Sequence, residues 1–134
     1  MSHQGYDCAQ IVRIDALTPE HVSRKLRVVG RLRLYDAENA LVCIADEQDT
    51  LLVDISLCLS GYQTFSWLRE MNTPVMAIGY LEKISLLQHE DDEDGIPTFI
   101  LRALLIKEER ALDLDVWNRA VDVHKSGEPS TPVA

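Results

Sequence analysis

Residues 26–35, LRVVGRLRLY, alternate apolar and mostly charged side chains with the period of a β-strand. The even-numbered positions form one apolar face, and Gly30 interrupts that face in its middle. A mid-strand glycine permits a sharp bend or the close approach of another backbone. A long strand that bends around such a glycine suits a small, strongly curved barrel. We therefore expect the chain to fold around a closed, curved sheet.

Four further segments combine the length and the apolar pattern of β-strands, and they lie at residues 40–45, 50–56, 75–87 and 99–107. A short additional strand is expected at residues 9–15. Thr18 before Pro19 has the pattern of an N-cap followed by a first helical residue, which predicts a brief helical turn. The polar residues 36–39 predict a hairpin turn after the first long strand. The chain is therefore predicted to be mainly β.

The order of these elements indicates one kind of barrel. Residues 62–71 carry apolar side chains at mixed steps of mostly three and four, which favours a short helix between the third and fourth strands. Gly79 interrupts the fourth strand as Gly30 interrupts the first. Three strands, a helix and two strands follow the order of the OB-fold, a five-stranded Greek-key barrel. A flat meander with a helix packed on it is the alternative.

The length of 134 residues is enough for one compact domain and too short for two ordinary ones. We expect a flexible N-terminal arm at residues 1–8 and an OB-fold domain at residues 9–125. That domain is expected to end in a closing amphipathic helix at residues 113–125, and residues 126–134 have the composition of a disordered tail.

The composition excludes several function classes. With 22 acidic and 13 basic residues, the formal net charge is −9, so most of the surface repels nucleic acid and any contact must come from a local patch or a partner. Three cysteines without a CxxC pair argue against a zinc site and a disulfide scaffold. Neither a membrane-spanning apolar run nor a signal-peptide pattern is present, so we expect an intracellular protein.

Sequence motifs of catalysis are missing. The chain has no glycine-rich phosphate loop, HExxH pair or nucleophile elbow, and its four histidines are scattered. The five consecutive acidic residues 90–94 are typical of a solvated loop, and a calcium or magnesium site there is the alternative. We therefore expect neither an enzymatic activity nor a cofactor.

Basic residues are concentrated at the first long strand, and the cluster comprises Arg24, Lys25, Arg27, Arg31 and Arg33. Odd positions of a strand share one face, and Tyr35 is the one aromatic ring expected beside these arginines. OB barrels bind single strands on such a face. The candidate nucleic-acid-binding residues are therefore Lys25, Arg27, Arg31, Arg33 and Tyr35. Charge complementarity to a protein partner and a merely solvated face are the alternatives.

The closing helix carries apolar side chains on two sides. One stripe consists of Leu114, Trp117 and Val121, and a second flank consists of Val116, Ala120 and Val123. A helix that is apolar on two sides must be covered on both, so we expect a second protein to bind it with Trp117 as an anchor. The candidate partner-binding residues are Leu114, Trp117, Ala120, Val121 and His124. A helix packed wholly on its own barrel is the alternative.

Three segments together resemble a known family: GRLRLYD at residues 30–36, PVMAIGYLEK at 74–83 and LDLDVWNRAVDVHK at 112–125. They are similar to the smallest OB-fold subunit, the "Ten" subunit, of the CST telomere-capping complex. The similarity covers roughly residues 17–125, and its motif is a first strand of the form G-[RK]-[LV]-x-x-Y-[DN] with a C-terminal amphipathic helix. Small OB subunits of replication protein A and of the RecQ-helicase accessory complex share the architecture and are the alternative.

The resemblance implies a single non-catalytic OB barrel that forms a heterodimer with the larger "Stn" subunit. It further implies a nuclear, chromosomal location at telomeres. Protection and replication of single-stranded telomeric DNA would then depend mainly on the complex, with this subunit as a scaffold and no contact with a membrane.

Overall fold

The computed structural model describes residues 8–59, 65–84 and 98–127. These ranges contain six strands: β1 Gln10–Ile11, β2 Lys25–Asp36, β3 Leu41–Asp46, β4 Asp49–Asp54, β5 Pro74–Ile84 and β6 Thr98–Glu108. The α-helix, α1, spans Leu114–Gly127. Three short 3-10 turns lie at Ile14–Ala16, Pro19–His21 and Ser66–Arg69.

The sheet closes on itself. Its strand order is β1-β2-β3-β4-β6-β5, and β5 also pairs with β2, so β2 to β6 form a barrel. All pairs within the barrel are antiparallel except β4–β6, which is parallel. The short β1 runs parallel to the first residues of β2, where it pairs with Leu26 and Arg27. A closed five-stranded barrel of this order is the OB-fold, so the predicted fold class is confirmed.

Alternate side chains of the barrel strands fill its interior. The fully buried ones include Leu26, Val28, Leu32, Ile44, Val53, Val75, Leu81 and Leu101. A second, smaller core lies on the outside of the barrel, where Val29 of β2 and Met76 of β5 pack against Leu114 of α1. The helix is therefore held on the outer surface by apolar contacts as well as by the chain that leads to it.

Both mid-strand glycines lie where another backbone approaches closely. A Cβ atom added to Gly79 would lie 2.7 Å from Cα of Ala103 and closer still to the carbonyl oxygen of Arg102. A Cβ atom added to Gly30 would lie 3.0 Å from Cδ1 of Ile14 and 3.2 Å from the backbone nitrogen of Ala45. The close backbone contacts of the curved barrel thus leave little room for a side chain at these two positions, as the sequence predicts.

A β-bulge in β2 corrects one expectation about its faces. The pairing with β3 shifts between Leu32 and Leu34, so Arg33 is an extra residue in the strand. Beyond the bulge the alternation reverses, because one inserted residue moves every following side chain to the other face. Leu34 is therefore 60% exposed, and Tyr35 packs against the main core instead of lying beside the arginines.

The segment between β4 and β5 also differs from expectation. Its described part contains one 3-10 turn, Ser66–Arg69, where the sequence pattern predicts a short helix over residues 62–71. Residues 60–64 lie outside the described part. Trp67 and Leu68 are adjacent in sequence and both buried, and the Phe65 and Trp67 rings stack at 5.3 Å. Side chains one or two residues apart do not lie on the same face of an α-helix, so packing Phe65, Trp67 and Leu68 together favours a tight turn over an α-helix.

The N-cap predicted at Thr18 is confirmed, and the structure shows how α1 begins. The Thr18 side chain accepts a hydrogen bond from the backbone nitrogen of Glu20, ahead of Pro19. Helix α1 begins one residue after Asp113, whose Oδ1 accepts hydrogen bonds from the nitrogens of Asp115 and Val116 at 3.0 and 3.3 Å. The helix ends at Gly127, slightly beyond the predicted end. The predicted strand at residues 9–15 shortens to β1.

Gly79→Ala is expected to destabilise the protein more than Gly30→Ala. The new methyl group at Gly79 would meet two backbone groups of β6, which cannot rotate away, whereas part of the contact at Gly30 is the flexible end of Ile14. Overpacking of this kind costs about 1–3 kcal/mol or more. Urea unfolding of both variants measures the difference, and equal unfolding midpoints would contradict the close approach at Gly79.

Candidate functional site

One face of α1 is docked on the barrel. Leu114 and Val121 are buried, and between them Nδ2 of Asn118 donates a buried hydrogen bond of 2.7 Å to Oδ2 of Asp46 at the end of β3. Farther along, Nη1 of Arg13 donates to Oδ2 of Asp122 at 2.8 Å. The helix is thus fixed by apolar contacts near its N-terminus, by a polar contact to the barrel at Asp46 and by a polar contact to the N-terminal segment at Arg13.

The charges around Arg13 bring the helix and the N-terminal segment together. Arg13 also pairs with Asp15 at 3.0 Å. Partial burial lowers the pKa of Arg13, but the carboxylates of Asp15 and Asp122 outweigh that effect and raise it. Because an arginine is already fully charged at neutral pH, this shift has no effect on its charge there, and the contacts act as a positional link between residues far apart in sequence.

The docking revises the list of candidate partner residues. Leu114, at 3% exposure, packs on Val29 and Met76 of the barrel, and Val121 is also buried within the protein, so neither is available to a partner while the helix stays docked. Trp117 packs against the small outer core and is half-buried, while Ala120 is exposed. The side chain of His124 lies outside the described part of the structure. The stripe that the sequence assigned to a partner is mainly the stripe that holds the helix in place.

The second apolar flank of the helix faces outward. Val116 and Val123 are 52% and 69% exposed, and together with Arg119 and Ala120 they form a shallow, mostly apolar surface. We call these four residues the helix face. An amphipathic helix normally presents polar side chains on its outer side, so this exposed valine pair makes the helix face a candidate binding surface.

The apolar surface continues from the helix onto β5 and β6. Trp117 and Ile78 both pack on the small outer core, and Ile78 pairs with Leu105. The pairing of β5 with β6 skips Leu104, so this bulge residue and Leu105 are both exposed. Half-buried and exposed apolar side chains therefore extend from α1 to β6.

The helix also divides the basic strand. Val29 lies midway along the arginine face of β2, and it is only 3% exposed because Leu114 covers it. Lys25 and Arg27 lie on one side of this point, and Arg31 and Arg33 lie on the other. Arg27 and Arg31 are four residues apart, which is about 13 Å along a strand. The sequence predicts one continuous basic face, whereas the structure has two separate basic clusters.

The cluster at the start of β2 contains an aromatic ring. Lys25 pairs with Tyr80, and Arg27 with Ile78, on the neighbouring β5. Tyr80 is exposed, and on its other side it pairs with Arg102 of β6. We call Lys25, Arg27 and Tyr80 the basic patch. The ring was not among the predicted site residues, although the alternation in PVMAIGYLEK places Tyr80 on the same face as Ile78.

Arg102 is held by two acidic neighbours at the rim of this patch. Its Nε donates to Oε2 of Glu82 at 2.9 Å, and its Nη1 lies 3.5 Å from Oδ2 of Asp54. The hydrogen bond from Arg102 holds the pKa of Glu82 below its ordinary value. The charge of Arg102 is thus compensated by Glu82 and Asp54, and Lys25 and Arg27 lie on β2 beside Tyr80 and Ile78 of β5.

The second cluster lies at the bulge. Neither Arg31 nor Arg33 forms an ion pair with any residue in the described ranges. Burial raises the pKa of the Cys43 thiol, and the nearby charge of Arg33 partly opposes that rise. Arg33 therefore lies near Cys43 of β3, and Tyr35, which faces the core, is not beside it. The structure does not bring Arg31, Arg33 and Tyr35 together as one stacking surface.

Metal binding and membrane insertion find no support in the described part of the chain. Its residues contain no group of three or more histidine, cysteine and acidic side chains placed to hold a metal ion. The alternative metal site at residues 90–94 lies outside the described part. No described helix has the length and apolar character needed to cross a bilayer.

Comparison of the sequence with protein families gives one match over most of the chain. Residues 7–127 match a family described as "Telomere-capping, CST complex subunit". The match favours the telomere-capping interpretation over the alternatives in replication protein A and the RecQ-helicase accessory complex. The comparison with curated protein sequences found no match.

Solved structures with a similar fold include two from S. pombe. In the structure titled as the Stn1-Ten1 complex, one chain is 17% identical with a TM-score of 0.65, covering 92% of this chain and 98% of that one. The telomere capping protein Ten1 is 15% identical with a TM-score of 0.64, covering 90% and 100%. A putative aspartyl-tRNA synthetase from Leishmania major is 11% identical with a TM-score of 0.52, covering 80% of this chain and 22% of that one. At these identities the likeness concerns the fold.

Asn118→Ala is expected to destabilise the folded protein by about 1–3 kcal/mol, because it leaves the buried carboxylate of Asp46 without this donor. Asp122→Asn is the matched control on the same helix, since its ion pair with Arg13 is half-exposed and contributes about 1 kcal/mol or less. Urea unfolding measures both variants. Equal losses of stability would contradict the anchoring role of Asn118.

Proposed function

This chain belongs to the family of telomere-capping CST complex subunits, and from that premise we propose that it acts as a non-catalytic scaffold in a heterodimer with an Stn1-type subunit. The observation that carries the proposal is the exposed helix face, which the barrel leaves uncovered on the outer side of α1. The S. pombe relative of similar fold is found in a Stn1-Ten1 complex, which supports the choice of partner.

The proposed interface has the composition of a protein contact. The helix face alone is small, and specific interfaces bury about 800 Å² on each partner. The continuation through Trp117 and Ile78 to Leu105 supplies further apolar area. Trp117 is half-buried, so one part of its ring holds the helix on the barrel and the other part is free to contact a partner. Tryptophan in such a central position is a common binding hot spot.

We further propose that the protein works at telomeres in the nucleus and contacts single-stranded DNA only as part of the complex. The basic patch supplies two cations and one exposed ring, Tyr80. Each base stacked on an aromatic ring contributes about 1–3 kcal/mol, so one ring is too little to order a flexible strand. With a net charge of −9, the rest of the surface repels phosphate. The partner therefore supplies most of the affinity.

Val123→Asp is expected to weaken heterodimer formation at least about tenfold, since it places a charge in an apolar interface, which costs more than 1.4 kcal/mol. Trp117→Ala should weaken it by about 2 kcal/mol or more. Isothermal titration calorimetry with the Stn1-type partner measures both effects, and thermal melts of the free chains report their folding.

Leu57→Asp is the matched control, because Leu57 is 63% exposed but lies outside the helix face and β6. It should leave the affinity unchanged. Val123 is exposed, so its substitution should change stability by less than about 0.5 kcal/mol. Wild-type affinity in a folded Val123→Asp protein would overturn the proposed interface.

Lys25→Glu combined with Tyr80→Ala is expected to weaken binding of a labelled telomeric single strand by the heterodimer. Each lost phosphate contact should reduce the slope of log Kd against log salt concentration by about 0.7. Without its partner, the wild-type chain should bind in the non-specific range of about 10⁻⁴ to 10⁻⁶ M at physiological salt. Fluorescence anisotropy measures both quantities.

Arg33→Glu serves as the charge-matched control, because Arg33 lies at the bulge and not in the basic patch. Its heterodimer should bind the strand as the wild type does. If the doubly substituted complex keeps full affinity, the basic patch has no part in DNA binding. Nanomolar binding by the isolated chain would show a primary DNA-binding role instead of a scaffold.

A further inference from the structure

A row of apolar side chains crosses the outer face of the barrel beside the bulge. Leu34 of β2 pairs with Cys43 of β3, Cys43 with Leu52 of β4, and Leu52 with Ile100 of β6. Leu34 is exposed, and the other three side chains are half-buried. We call Leu34, Cys43, Leu52 and Ile100 the apolar ladder. These four apolar side chains are register partners on four neighbouring strands, so they form one continuous strip.

The residues on one side of the ladder already have partners. The next row runs through Asp36, Leu41, Asp54 and Arg102. Asp36 accepts hydrogen bonds from Asn39 and Glu38 in the turn, and Asp54 accepts from Ser56 at 2.7 and 2.9 Å. Arg102 is paired with Glu82. Apart from Leu41, this row is therefore a polar border whose charges are satisfied within the protein.

The other side of the ladder carries uncompensated positive charge. Arg33 is the extra residue of the bulge next to Leu34, and Arg31 pairs with Ala45 one step along the same strands. Both guanidinium groups are exposed, and neither has an ion-pair partner among the described residues. A ligand on this face thus meets an apolar strip with two available arginines along one edge.

Strands 2 and 3 of an OB barrel, here β3 and β4, form the face on which these domains commonly hold ligands. A nucleic acid would need aromatic rings for its bases on this face. No aromatic side chain stands in the ladder, and Tyr35 of the neighbouring strand faces the core. The chemistry of the face therefore favours a protein segment.

We propose that the apolar ladder and its arginines dock a short acidic segment of another protein, with apolar side chains on the ladder and carboxylates at Arg31 and Arg33. The planar guanidinium group matches a carboxylate with two parallel hydrogen bonds. The rest of this acidic protein repels such a segment, so the two free arginines determine where it binds and in which direction it lies. The helix face lies on α1, outside this strip, so the docking is independent of the proposed heterodimer.

The test uses the full-length chain, labelled with ¹⁵N, and a synthetic peptide in which aspartate and leucine alternate. Chemical shifts of the backbone amides should change around Leu34, Cys43 and Leu52 as the peptide is added. A second peptide, with lysine in place of every aspartate, should leave them unchanged. A single-stranded oligonucleotide is the third probe, and it too should leave the ladder unchanged.

Two variants locate the binding on the protein. Leu34→Asp together with Arg33→Glu should weaken binding of the acidic peptide at least about tenfold. Since both side chains are exposed, the fold should persist. Val123→Asp on the helix face should bind the peptide like the wild type. The proposal is overturned if the acidic peptide changes no amide chemical shifts in the apolar ladder, or if the lysine peptide binds equally well. It is also overturned if the oligonucleotide changes those chemical shifts instead. If Val123→Asp loses heterodimer formation but keeps peptide binding, that loss concerns the helix face and not the apolar ladder.

Discussion

Leu114 packs on Val29 and Met76 outside the barrel, and the positions of the helix face and of the two basic clusters depend on this contact. It holds one side of α1 against β2 and β5, which turns Val116 and Val123 outward. It also covers the middle of the basic strand. A single apolar contact, supported by the buried hydrogen bond between Asn118 and Asp46, therefore creates the helix face and separates the two basic clusters.

The barrel below the helix was largely predictable, because its signals are local. The alternation in β2 reports a strand with one buried face, and the glycines mark positions of close backbone approach, as Gly79 against β6 shows. The cap at Thr18 follows from a side chain that can accept a hydrogen bond from a nearby backbone nitrogen. Each of these features has a signal within a few residues of sequence.

The site was less predictable, because it depends on which elements meet. A period of two cannot reveal a bulge, so nothing in LRVVGRLRLY shows that Arg33 is an extra residue and that Leu34 and Tyr35 exchange faces. Helical periodicity shows that α1 is apolar on two sides, but the choice of Leu114 for the barrel depends on Val29 and Met76. Tyr80 joins Lys25 only through the pairing of β5 with β2.

The central claim is that α1 binds a partner with the side that faces away from the barrel. Hydrogen–deuterium exchange of the full chain, alone and with an Stn1-type subunit, measures this most directly. We predict slower exchange in the complex for the backbone amides of α1 around Val116 and Val123, and for those of β6 around Leu105. Unchanged exchange along α1 in a formed complex would contradict the claim.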